Sequence, residues 1–132
     1  DIANMIMDRV KTEDAIPYWD YDAPVTKETP RDVSAASVTA SAMIELSTMV
    51  PDGQKYLDYA EKILKSLSSD AYLAKVGDNQ GFILMHSVGS LPNGSEIDTP
   101  LNYADYYYLE ALKRFMELKK LKVENGELRV IQ

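Results

Sequence analysis

Val33-Ser34-Ala35-Ala36-Ser37-Val38-Thr39-Ala40-Ser41-Ala42-Met43-Ile44-Glu45-Leu46-Ser47-Thr48-Met49-Val50 carries apolar or small side chains around almost its whole circumference. A helix of that composition has no polar face to offer water, so it is expected to be buried on most sides. Asp32 or Ser34 supplies its N-cap, since a short oxygen-bearing side chain there satisfies an orphan amide. Pro51-Asp52-Gly53 then breaks the chain. From Gln54 to Leu67 the pattern changes, with Tyr56, Tyr59, Ala60, Ile63, Leu64 and Leu67 on one face of an amphipathic helix. A buried helix, a tight turn and an amphipathic return form the unit of helical-hairpin folds, in which inner helices line a core and outer helices shield it.

Working outward, Tyr103 to Lys120 reads as a second inner helix, with Ala104, Tyr107, Leu109, Ala111 and Phe115 spread over a wide arc. Ile2, Met5, Ile6 and Val10 have helical spacing but no preceding cap, so the chain is expected to start inside an element. Prolines 17, 24 and 30 keep the aromatic stretch from Ile16 to Pro30 out of helix. Gly77 to Pro100 reads as a long loop holding one short strand or turn at Phe82 to Met85. So long a loop raises the expectation of function. Asn125-Gly126, between the alternating segments of Leu121 to Val130, predicts a short C-terminal β-hairpin.

Bulk properties narrow the function classes. The 132 residues are 45% hydrophobic and 27% charged, as in a single globular unit. A net charge of −7 repels a phosphate backbone, so no nucleic-acid partner is expected. An acidic chain can still hold an anionic sugar through a few local donors, because net charge governs the far field. No cysteine is present, which removes disulfides and thiol chemistry and fits either a bacterial cytoplasm or periplasm. The first ten residues show no signal-peptide pattern, and no apolar run reaches the length that crosses a bilayer, so no membrane association is expected. His86 is the lone histidine and has no cysteine beside it, which argues against a metal site.

Four segments, in order, carry a resemblance to a known family: Pro17-Tyr18-Trp19-Asp20, Pro30 to Ala36, Gly89 to Glu96, and Tyr103 to Leu112. Together they make the chain similar to the unsaturated glucuronyl hydrolases, glycoside hydrolase family 88. Family 105, the unsaturated rhamnogalacturonyl hydrolases, is the near alternative. The resemblance implies an all-α fold, with residues 1–132 forming the last helical hairpins of a six-hairpin α/α toroid whose N-terminal part lies outside this chain. It implies hydration of the C4=C5 enol ether of an unsaturated uronic acid, left at the end of an oligosaccharide by a lyase, without metal or organic cofactor. Its two catalytic aspartates are expected outside these residues, so no catalytic role is carried onto any residue here and the piece alone is expected to be inactive.

Six residues are read as candidate contacts to the unsaturated uronyl oligosaccharide: Trp19, Arg31, Asp32, His86, Ser87 and Ser90. Trp19 offers a ring for a pyranose face, or else anchors its loop in the core. Arg31 can pair a carboxylate bidentately, and Asp32 either meets substrate or caps its helix. His86, Ser87 and Ser90 lie in the glycine-flanked loop that rims the pocket in the resembled family. Asp105 among its tyrosines needs partners, and hydroxyls are the expected ones. The rival class is a non-catalytic helical interaction module, which would show a polar surface all round. A piece of a barrel would leave apolar hairpin faces bare, to be covered by the rest of the barrel or by self-association.

Overall fold

The structure, a computed structural model, describes residues 1–124 and is all-α. Four helices lie among the described residues, α1 (Ile2–Arg9), α2 (Val33–Ser47), α3 (Gln54–Leu67) and α4 (Asn102–Glu124), with short 3-10 turns at Asn79–Gly81 and Leu91–Asn93. Isolated antiparallel bridges stand in for sheet: Tyr18 with Arg31, Leu73 with Leu84, Ser87 with Thr99, and Ser90 with Ser95. The strand or turn expected at Phe82 to Met85 is the bridge at Leu84.

Small residues place α2 at the centre. Ala36, Ser37, Ala40 and Ser41 are almost fully buried, which lets α3 and α4 approach its backbone from two sides. Val33, Met43 and Ile44 fill the space between them, together with Ile63 and Leu67 of α3. Each such side chain contributes about 1.5–3 kcal/mol of burial. The helix ends at Ser47, short of the expected Val50. Pro51 disfavours helical geometry at Val50, and the Ser47 and Thr48 hydroxyls turn back onto the carbonyls of Ile44 and Glu45.

Side-chain contacts fix the helix directions. Ser41 Oγ donates to Glu110 Oε1, and Arg114 Nη1 lies 3.3 Å from Glu45, so partners on α2 and α4 advance together and the two helices are parallel. Between α3 and α4, the Ser68 and Tyr108 hydroxyls meet at one end while Lys122 reaches Gln54 at the other, so α3 runs antiparallel. The result is inner, outer, inner, as the sequence pattern implies.

Two expectations are corrected. Leu121 to Glu124, assigned to the first arm of a hairpin, form the end of α4, where Lys122 is held along α3 by Gln54. The Asn125-Gly126 turn and the second arm lie outside the described residues. Asp105 is satisfied by the backbone N–H groups of Ile83 and Leu84, at 2.8 and 2.9 Å, rather than by tyrosine hydroxyls. Through that clamp α4 holds the long loop in place.

Bare apolar surface flanks the hairpin on both sides. Ile2 and Met5 of α1, Val38 of α2 and Met49 just beyond α2 are exposed on one flank, where a groove of about 340 Å³ opens between the two helices. On α4, Tyr106, Leu109 and Met116 are exposed, Met116 to 69%. Surface of this kind ordinarily meets another element.

Candidate functional site

Asp32 joins three parts of the chain at the start of α2. Its N–H donates to Pro17 O at 2.9 Å, which ties down the aromatic loop. Its Oδ1 accepts from Ser34 N (3.0 Å), Ser34 Oγ (2.6 Å) and Val88 N (3.2 Å). The first helical amide, Val33 N, donates in turn to His86 O. Helix N-termini leave amides that need acceptors. Here one is met by the cap and one by the long loop, so loop 86–98 is fastened to the N-terminus of α2.

Arg31 and His86 line one cleft of about 470 Å³, together with Tyr72, Lys27, Ile97 and Asp98. His86 Nδ1 lies 2.6 Å from Asp98 Oδ1, and Tyr72 meets the imidazole edge-on at 6.2 Å between ring centroids. Both His86 and Asp98 take left-handed backbone conformations, φ 70° and 49°. Non-glycine residues adopt such angles at a cost, which surrounding structure must offset. The Val33–His86 bond and the Ser87–Thr99 bridge supply that restraint.

The other candidates sit differently. Arg31 donates from Nη1 to Asp14 Oδ1 (3.0 Å) and to Ile16 O, while its guanidinium lies 4.5 Å above the Tyr18 ring. Ser87 is fully buried, with no partner for its hydroxyl. Ser90 accepts from Asn93 Nδ2 and bridges Ser95 in the turn beyond the cleft. Trp19 is half-buried and lines neither this cleft nor the basin beside it. Sequence reasoning missed Tyr72, Lys27 and Asp14, which carry no local pattern and meet only through the fold. Among the described residues no group of three or more His, Asp or Glu side chains is arranged to hold a metal ion.

Asp14 anchors this region electrostatically. Burial works to raise its carboxyl, but hydrogen bonds from the Tyr72 hydroxyl and the Ile16 N–H and the Arg31 charge outweigh it, holding the group below the ordinary carboxylate range. Burial and the Asp14 carboxylate in turn push the Tyr72 phenol up. A depressed folded value stabilises the chain above the unfolded aspartate value of about 3.9, and that contribution is lost as pH falls through the folded value. Urea midpoints from pH 6 to 3 should therefore fall at the acid end, and Asp14→Asn should flatten the profile. An unchanged slope in the variant would exclude Asp14 as the group responsible.

No family model matches the chain. Over 106 residues it is 48% identical to the unsaturated glucuronyl hydrolase of Formosa agariphila, a match covering 80% of this chain and 26% of that protein. The unsaturated glucuronyl hydrolase of Bacillus sp. strain GL1 is 32% identical over 106 residues, covering 77% of this chain and 28% of that protein. Among solved structures, an unsaturated glucuronyl hydrolase specific for heparin superposes with a TM-score of 0.87 at 63% identity, over 90% of this chain and 32% of its own. The chain thus spans about a quarter to a third of the length of the proteins it matches.

Proposed function

This chain belongs to the family of unsaturated glucuronyl hydrolases, and from that premise we propose that it forms the closing hairpins of an α/α toroid that hydrates unsaturated uronic acids at the non-reducing end of lyase-generated oligosaccharides. The observation that carries the reading is the 63% identity with a TM-score of 0.87 to the heparin-specific enzyme. The bare flanks of α1, α2 and α4 support it, since a barrel segment would turn those faces to its neighbours. The same flanks weigh against a self-contained interaction module, and self-association would cover them only where the rest of the barrel is missing.

In the reaction, a carboxylic acid delivers a proton to C4 of the enol ether while a carboxylate directs water to C5. The hemiketal then opens and frees the neighbouring sugar. The acids for this step are assigned to sequence outside these residues. What this chain contributes is the wall: Arg31 and His86 in the cleft contact the sugar, the buried Asp32 and Ser87 hold the loop that presents them, and Trp19 and Ser90, which lie outside the cleft, serve the segments around it.

The test compares this polypeptide with a longer one that keeps its native flanking sequence, using an unsaturated heparin or chondroitin disaccharide and the ultraviolet absorbance of the enol ether. Loss of absorbance with the longer polypeptide alone is expected. Activity in neither, with turnover of unsaturated rhamnogalacturonyl products instead, would overturn the proposed substrate in favour of an unsaturated rhamnogalacturonyl hydrolase activity. In the longer polypeptide, His86→Ala should lower kcat/KM by about tenfold, the worth of one hydrogen bond of about 1.4 kcal/mol. An unchanged kcat/KM would remove His86 from the site.

A further inference from the structure

Beside the His86 cleft lies a larger basin, of about 590 Å³, between the C-terminal end of α1 and the aromatic loop. Arg31 lines both, so the two cavities adjoin at that residue. Both volumes fall in the range of roughly 300–1,000 Å³ ordinary for ligand sites.

The basin's walls are chemically prepared for a sugar. Tyr18 and Tyr21 supply aromatic surface, with Tyr21 exposed to 37%. An aromatic face takes the apolar C–H side of a pyranose and excludes water from it. The charged groups around the rings are mostly paired already: Arg9 with Asp22, and Arg31 with Asp14, while Asp20 accepts from the Asp22 N–H. Such groups present fixed donors and acceptors to hydroxyls without a strong net field, which suits a polyol with at most one carboxylate. Lys11 and Glu13, also on the wall, make no ion pair among the described residues, which leaves Lys11 as a donor and Glu13 as an acceptor.

Position supplies the second argument, which rests on the proposed function. If the unsaturated unit is the non-reducing terminal sugar, every further unit must leave the reaction site on the reducing side. The geometry points to the Tyr18–Tyr21 basin as a subsite for a sugar unit on that side, beyond the disaccharide, reached past Arg31. Substrate length is then read by the aromatic loop, separately from the chemistry.

The test uses the longer polypeptide with an unsaturated disaccharide and the tetrasaccharide of the same repeat. Tyr21→Ala and Lys11→Ser should each raise KM for the tetrasaccharide, Tyr21→Ala by about fivefold as expected for one lost ring contact, and leave the disaccharide constants unchanged. Two exposed positions are chosen so that a folding defect in one variant does not decide the matter. A binding arm needs no hydrolysis: Trp19 sits in sequence between Tyr18 and Asp20, so a saturated tetrasaccharide should shift its emission in the unsubstituted protein and not in the variants. Constants for both substrates moving together, or neither moving, would overturn the subsite. Turnover failing for every unsaturated substrate while the variants still abolish the fluorescence response would instead retire the proposed function and keep a carbohydrate site.

Discussion

Gly53→Ala should lose about 2–3 kcal/mol of folding stability, read as a fall in the urea midpoint at unchanged m. The cause is proximity. A Cβ at residue 53 would stand 1.9 Å from Ser47 O, 2.7 Å from Ser47 C and 2.9 Å from Ser47 Cα. All three are backbone atoms at the end of α2, so no side chain can swing aside. Nor can residue 53 move freely, because its N–H donates to Val50 O and its carbonyl accepts from Tyr56 and Leu57 at the start of α3. Its φ of −61° is ordinary for any residue, so the effect is steric and not conformational. Gly77→Ala makes the control: Gly77 has φ +90° and open space around its Cβ position, and should cost only about 1–2 kcal/mol of left-handed strain. Equal losses at the two positions would mean that the α2–α3 connection can relax, and that Gly53 is not what sets the approach of outer to inner helix.

That hairpin was legible before any coordinate because its signals are local. Pro51-Asp52-Gly53, the small residues of α2 and the apolar stripe of α3 each state their own geometry, and α3 runs over Gln54–Leu67 as the periodicity predicts. A cap at Asp32 or Ser34 was legible for the same reason, and the structure selects Asp32. What the pattern missed depends on pairings distant in sequence. The Asp105 carboxylate takes amides from Ile83 and Leu84, and the Asp14, Tyr72 and Arg31 cluster joins three separate segments. Leu121 to Glu124 misled through Asn125-Gly126, whose hairpin pattern outweighed the helix propensity of the residues before it. The six candidate contacts were read from loops, and loops disclose residue types without the directions of side chains. So His86 and Arg31 share a cleft, while Ser87, from the same loop, is fully buried.

Asp32→Ala should cost about 3 kcal/mol, whereas Asp32→Asn should stay within about 1 kcal/mol of the unsubstituted protein. Three donors converge on the one oxygen Oδ1, and alanine leaves the amides of Ser34 and Val88 without it in a site where Asp32 is 9% exposed. Asparagine keeps an acceptor oxygen on the same short stem and caps helices about as well as aspartate. Because Val88 N is one of the three donors, the alanine change should also free loop 86–98 and raise KM in the longer polypeptide, while asparagine should restore it. Rescue by asparagine marks Asp32 as a positioning residue that acts through His86 and its loop. An asparagine variant that folds well but binds substrate poorly would give the opposite assignment, a carboxylate that touches the sugar itself.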